Sequence, residues 1–391
     1  MGILDEYDGV GGFVLWISFR DSELFARSDL PVPFHSCPAE RRALIEGLSS
    51  ECFGPVKPAL QTLGGLLAPA LPERDAIAAG CQAIAGWSEL GSKLRTAVEY
   101  AQVASLTLPV KASYAVQAAR LLRMRAEYER AVSWFDHAIY LAKVEGDWAA
   151  YAQAYSGLGC LHMQRGNLPR ARLVLYRSLR IAHRKELPER AAAAFHNLFA
   201  VEAIAGNWEE AERCAQRALK FYPQDARGLP RLARDLAFRW IQRGYFERAL
   251  PLAKEVLAHF GSPADRALAW SDIARAAAGA GELEDFETAW ASAWVAVKAG
   301  AVEPFGADIL LNLTHAAAFR GDVTRASMAG RDAINVAKAR KESQSILEAE
   351  AVLDSLRFPA SVPPVAARQD PVPYPLSRRF VRVLQGARAA S

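Results

Sequence analysis

Small and apolar positions recur along this chain in one fixed frame. Six times a turn residue (Ala126, Gly166, Gly206, Gly244, Gly281, Gly321) is followed two places later by Tyr128, Leu168, Trp208, Phe246, Leu283 or Val323. Five places after the turn stands Ala131, Ala171, Ala211, Ala249, Phe286 or Ala326. A second small residue follows at plus twelve, Ala138, Ser178, Ala218, Ala293 or Ala333, with Val256 as the exception. Eight places before each turn the position is Ala118, Leu158, Leu198, Leu236, Ile273 or Leu313. Counting back to Ser92, with Leu94, Ala97 and Ala104, gives a seventh copy, so the spacing runs from 34 to 40 residues. Self-similarity at this period predicts a solenoid of stacked supersecondary units.

Each copy reads as a helix, a tight turn and a second helix. In Gly166-Asn167-Leu168-Pro169 and Gly206-Asn207-Trp208, glycine suits the positive φ that ends a helix, and asparagine suits the cap of the next. The alanines at plus five and plus twelve fall on the second helix. There they let it approach the first closely, and enlarging either is expected to cost about 1–3 kcal/mol by overpacking. The residue eight before the turn belongs to the buried stripe of the first helix. No strand-period alternation stands out.

These offsets resemble the tetratricopeptide repeat family, over about residues 75–357. Gly157-Leu158-Gly159 with Arg165-Gly166-Asn167, and Gly206-Asn207-Trp208-Glu209-Glu210-Ala211, are the most family-like stretches. Ala126, Ser92 and Phe286 depart from the motif. Most spacings exceed the family's period of about 34 residues, which predicts longer helices, as in bacterial regulatory members. The expected fold class is therefore all-α: a right-handed α-solenoid of about seven helix-turn-helix repeats, with an N-terminal helical cap and a disordered C-terminal tail.

The expected organisation is a cap or contact segment over 1–72, the repeat array over 73–343 and a capping helix over 344–357. A proline-rich linker over 358–375 and a basic tail over 376–391 follow. The first segment has helical stretches broken by Pro31, Pro33, Pro38 and Pro55. Its aromatic content (Phe13, Trp16, Phe19, Phe25) leaves open a contact module beside the cap. The tail carries Arg378, Arg379, Arg382 and Arg388 without an acid, and Leu376, Phe380, Val383, Leu384 and Ala387 fall on one helical face. Such a tip reads as a contact for an acidic partner, nucleic acid or an anionic surface, or as a helix that packs on its own domain.

Composition fits this reading. The chain has 391 residues, 51% hydrophobic and 23% charged, with a formal net charge of +4. That charge is too small for its length to make nucleic-acid binding the leading expectation. Five dispersed cysteines without CxxC spacing, and an acidic start at Asp5-Glu6, point to free thiols and a cytoplasmic location. A membrane partner is not expected except through the basic tail.

Catalytic and metal signatures are missing. Gly9-Val10-Gly11-Gly12 lacks the spacing and the Lys-Ser/Thr of a phosphate loop, no HExxH occurs, and His35-Ser36-Cys37 with Cys52 is too sparse for zinc. No enzyme activity, cofactor or metal is expected.

Recognition remains. The tetratricopeptide resemblance implies that first helices line a groove, with the places ten, six and three before each turn facing it. Carried over, these give Arg120 and Arg123; Ser156; His196; Arg234 and Phe238; Ser271 and Arg275; and His315, with Gln153, Asn197, Arg231 and Asn312 at the rim. Arginines in that pattern favour an acidic peptide or a C-terminal carboxylate. The lysine and asparagine clamp of chaperone-binding members is not reproduced, because His196-Asn197 is answered one repeat later by Arg234-Asp235. Two functions stand: a scaffold or adaptor that binds a partner segment in the groove, and a peptide-responsive regulator that switches by changing solenoid curvature.

Overall fold

The computed structural model describes residues 2–28, 37–67, 72–91, 93–222, 228–300, 302, 305–340, 342–357, 368 and 375–390. The turn residue Ser92 and nearly all of the proline-rich linker lie outside them. The regular structure of the described residues is all helical, with no strand among them. The chain divides into two compact units, Met1–Val201 and Glu202–Ser391.

In the first unit, α1 (Gly9–Ser28), α2 (Pro38–Glu46), the single turn α3 (Ser50–Phe53) and α4 (Lys57–Gly64) precede the repeats. They pack on α5 (Arg74–Leu90) and α6 (Leu94–Thr107), with α1 against α6 and α4 against α5. One continuous apolar core runs from Ile3 through Val14, Leu15 and Leu60 into Ile77, Ala104, Phe135 and Val174. The N-terminal segment thereby shares one core with the first helical pair. A buried ion pair, Arg41 Nη2 to Asp21 Oδ2 at 2.8 Å, joins α2 to α1. The Glu6 carboxylate accepts from Arg95 N, Thr96 N and Thr96 Oγ1 at 2.8–3.0 Å, where the orphan amides opening α6 need acceptors.

The pairs α7 (Ala112–Met124) with α8 (Tyr128–Glu145) and α9 (Trp148–Gln164) with α10 (Leu168–Arg184) follow, and α11 (Pro188–Ile204) begins the next copy. The helices α9, α10 and α11 have 17 residues each, the length that the long repeat spacing predicts.

The repeat frame is realised position by position. All six turn residues, Ala126 included, have φ between 59° and 83°. All six residues at plus five, all six at plus twelve and all six at minus eight are buried. Close approach is visible at Gly159, where a Cβ would lie 2.5 Å from Leu175 Cγ. Asn167 caps α10, accepting from Arg170 N at 3.1 Å. Asn207 differs from expectation: it makes no cap hydrogen bond, and its amide donates to Glu202 Oε2 at 2.8 Å. The bond to Glu202, in place of a cap bond, sets the orientation of that amide.

Ala126 is the one turn position of the six without glycine. An L-residue in the left-handed region costs about 1–2 kcal/mol, and glycine returns part of that gain through the entropy of the unfolded chain. Because the Ala126 side chain is exposed, Ala126→Gly is expected to raise the unfolding free energy by about 1 kcal/mol in urea titration.

In the second unit, α12 (Trp208–Phe221) leads to α13 (Gly228–Gln242) and α14 (Phe246–Leu257), then α15 (Pro263–Ala280) and α16 (Leu283–Lys298). The pair α17 (Gly306–Phe319) and α18 (Val323–Arg340) follows, then α19 (Ser343–Arg357). Each first helix packs on its own second helix and on the next first helix.

The tail departs from the expected disorder. Residues Pro375–Ala390 form a helix, α20, seated on α14 and touching α13. Leu376, Phe380 and Leu384 are buried beneath it, Ser377 Oγ donates to the Arg248 carbonyl at 3.0 Å, and Gln385 Nε2 donates to Glu255 Oε2 at 3.0 Å. The physical reason is the apolar stripe: three large side chains at i, i+4 and i+8 gain more from burial than the basic remainder loses.

Candidate functional site

In the second unit, the first helices carry polar residues at positions that the apolar pattern turns inward. An uncompensated charge there would be costly, so each must meet a partner. Arg234 on α13 donates through Nε to Asp272 Oδ2 at 2.7 Å and through Nη2 to Oδ1 at 3.4 Å. Asn312 on α17 donates from Nδ2 to Asp272 Oδ1 at 2.8 Å and to Ser271 Oγ at 3.2 Å. Its Oδ1 accepts from Arg275 Nη1 at 3.1 Å. His315 Nε2 lies 3.1 Å from Glu348 Oε1 on α19. A run of polar contacts therefore passes across α13, α15, α17 and α19.

Most of this run is below the surface: Ser271, Asp272, Arg275 and Asn312 are each no more than 4% exposed. Burial alone would lower Arg234, but Asp272 and Asp235 hold its pKa above normal. Burial pushes Asp272 up against the pull of Arg234. Burial also brings Arg275 down to about 10, with Glu348 and Asp272 opposing, so its guanidinium stays charged at neutral pH. Arg275 Nε is buried without a hydrogen-bond partner.

Burial, then the charge of Arg275, holds His315 below its ordinary pKa. The unfolded chain therefore takes up the His315 proton first as pH falls. Its contribution is complete above about pH 6.5 and is lost as pH falls below that value toward the folded pKa. Glu348, held low chiefly by the hydrogen bond to His315, loses its contribution in a separate window below its unfolded value of 4.5. The urea midpoint is expected to drop from pH 7 to pH 5.5, and His315→Gln is expected to flatten that part of the profile.

The structure thus brings Arg234, Ser271, Arg275, Asn312 and His315 into one network, but turned toward one another. Asn312, expected at the rim, has both amide atoms engaged. Phe238 is half-buried with Arg234 and Arg239 over its ring at 5.0 and 5.8 Å, and Arg231 is exposed. In the first unit Arg120 pairs with Glu89 at 2.5 Å and Arg123 donates to Gln164 Oε1 at 2.9 Å. Ser156 Oγ lies 3.1 Å from Ser178 Oγ between α9 and α10, while Gln153, His196 and Asn197 are half-buried on α9 and α11. Arg378, Arg379, Arg382 and Arg388 are exposed on α20.

Three carboxylate partners escaped the sequence reading: Glu89, Asp272 and Glu348. The signal for Asp272 was present, a carboxylate beside Ile273 and three places from Arg275 in the alanine-rich middle of a first helix. Among the described residues no three His, Cys, Asp or Glu side chains cluster for a metal ion, and no helix is long and apolar enough to cross a membrane. All five cysteines are free thiols; Cys37 and Cys52 are exposed, and His35 and Ser36 lie outside the described residues.

No protein-family model and no curated protein matches this sequence. Among solved structures, the chain is similar to a Rap protein complexed with competence and sporulation factor, at 12% identity over 84% of this chain and 98% of that one, TM-score 0.52. It is also similar to the Rap conjugation gene regulator of plasmid pLS20 in complex with the Phr* peptide, at 12% identity over 86% and 97%, TM-score 0.53. These likenesses are of fold: the chain is a tetratricopeptide-like, all-α repeat solenoid.

Proposed function

We propose that this chain is a non-enzymatic scaffold or adaptor of the cytoplasm that holds a segment of a partner protein on the first-helix face of its second unit. The observation that supports it most is the cross-helix network from Arg234 to Glu348. Hydrogen bonds that tie successive first helices fix the side chains above them, and a rigid, preorganised face binds at lower entropic cost. The residues left to meet a partner are Arg231 and the Phe238 ring, which Arg234 and Arg239 approach. Since Arg234 and Arg275 already face Asp272, the partner is read by shape, hydrogen bonds and an aromatic contact more than by net acidity. Reading the N-terminal segment as a cap belongs to the same proposal.

The test uses surface positions and spares the network. Wild-type protein and Arg231→Glu/Phe238→Ala are recovered from extracts of the native cell, and co-purifying proteins are identified by mass spectrometry. A partner kept by the wild type and lost by the variant, with unchanged circular dichroism, supports the reading. If every co-purifying protein binds both forms equally, this face is not the binding surface.

A second reading, a peptide-responsive regulator, draws support from the same network, because any rotation between repeats must change its hydrogen bonds. The two fold neighbours are described in complex with a peptide or factor. A saturating ligand that leaves the small-angle scattering profile unchanged would count against switching.

A further inference from the structure

The first unit has a recess on the side of its second helices, away from the groove positions that the repeat frame points to. It opens between α8 and α10 over a floor of α9, with a volume of about 530 Å³. Its apolar wall is Val132 and Ile139 of α8 with Leu173 and Val174 of α10. Arg170, Arg177 and Arg180 of α10 line it as well, against one carboxylate, Asp136.

These arginines differ from most others of the chain. Arg120, Arg123, Arg165, Arg213, Arg234 and Arg325 each have a carboxylate or amide partner within the protein. Arg170, Arg177 and Arg180 are exposed, and among the described residues none of them forms an ion pair. Arg177 is instead held over the Tyr155 ring at 4.6 Å, and both side chains line the recess. From Trp148 to Lys185 the sequence contains no Asp or Glu. Leu173, at 59% exposure, stands between the guanidiniums with its side chain uncovered.

We infer that this recess is a docking site for an acidic segment of a partner protein that carries a bulky apolar side chain between carboxylates. Charge complementarity selects the occupant: three guanidiniums without a carboxylate partner favour anions, and the Ile139, Leu173 and Val174 wall favours an apolar group, which a bare phosphate chain does not supply. Arg170 to Arg180 spans ten residues of helix, about 15 Å. An extended segment of about five residues covers that distance at about 3.3 Å each. The site lies in the first unit and does not depend on the second-unit face.

A phage library of random hexapeptides is selected on the full-length protein and counter-selected on Arg170→Glu/Arg177→Glu/Arg180→Glu. Enriched sequences are expected to carry two or more Asp or Glu flanking Leu, Ile, Phe, Met or Trp. The best synthetic peptide should bind about tenfold or more weaker to that variant and to Leu173→Asp, as like charges are placed face to face or the apolar wall is lost. It should bind undiminished to Arg378→Glu/Arg379→Glu/Arg382→Glu, which removes as much positive charge elsewhere. His162, held low by burial and by Arg170 and Arg165, should titrate at higher pH in the presence of peptide. The proposal is overturned if no sequence is enriched over the variant, if enriched sequences lack acids, or if the α20 variant loses binding equally. It is also overturned if a twenty-residue oligothymidylate binds with the same arginine dependence while peptides do not.

Discussion

Replacing Asp272 by alanine is expected to lower the unfolding free energy by about 3–5 kcal/mol, among the largest effects of any single substitution in this chain. The carboxylate accepts two hydrogen bonds from Arg234 and one from Asn312, and it faces Arg275, itself 4% exposed. Without it, two guanidiniums remain in a low-dielectric interior with no near counter-charge on α15. Urea unfolding, with hydrogen exchange of α13, α15 and α17 as the local readout, measures the loss. Arg231→Ala, at an exposed place on α13, should stay within about 0.5 kcal/mol of wild type. The double variant Asp272→Leu/Arg234→Met should recover much of the deficit, because an apolar pair avoids desolvation where a broken ion pair does not. A loss below 1 kcal/mol for Asp272→Ala would mean that water reaches the network and the buried account is wrong.

The second large effect concerns α20. Phe380 and Leu384 are both fully buried against the second unit. Truncating either in an ordinary core costs about 2–5 kcal/mol. Here the cost is bounded, because α20 can leave while the repeats stay folded. Phe380→Ala/Leu384→Ala is therefore expected to free the helix rather than unfold the unit. A shift of about 3 kcal/mol in that local equilibrium raises the open population more than a hundredfold. Trypsin cutting after Arg378, Arg379 and Arg382 reads this directly: rapid release of the C-terminal peptide from the variant, slow release from wild type, the same urea midpoint for the remainder. If the variant instead loses the whole second unit cooperatively, α20 is part of that unit's core.

Much of the fold was legible because its determinants are local. A left-handed turn at Gly166 or Gly281 favours glycine, and a close helix crossing favours Ala171 or Ala211. Those requirements repeat in one frame, so a single chain reveals them. The tail was legible only in part. Its apolar stripe of Leu376, Phe380 and Leu384 was visible, but its docking site on α14 lies far back in sequence, across a proline-rich stretch that carries no register. The candidate site was legible as positions and not as pairings. An offset from the turn locates Arg234, Arg275 and Asn312 on a helix. One residue turns a helix by about 100°, so which of them meets solvent and which meets Asp272 depends on rotations that offsets do not specify. The recess on the other side of the repeats was hidden for another reason, since the repeat frame directs attention to first helices and Arg170, Arg177 and Arg180 belong to a second one.

The seat of α20 on α14 also changes how the end of the array bears load. A linear stack frays from its last repeat, because that repeat has a neighbour on one side only. Here the chain returns, and Ser377 meets the Arg248 carbonyl across 129 positions. Tension applied at the C-terminus is delivered first to α14 in the middle of the unit, leaving α15 to α19 inside a closed loop that carries no force until the clasp at Phe380 gives way.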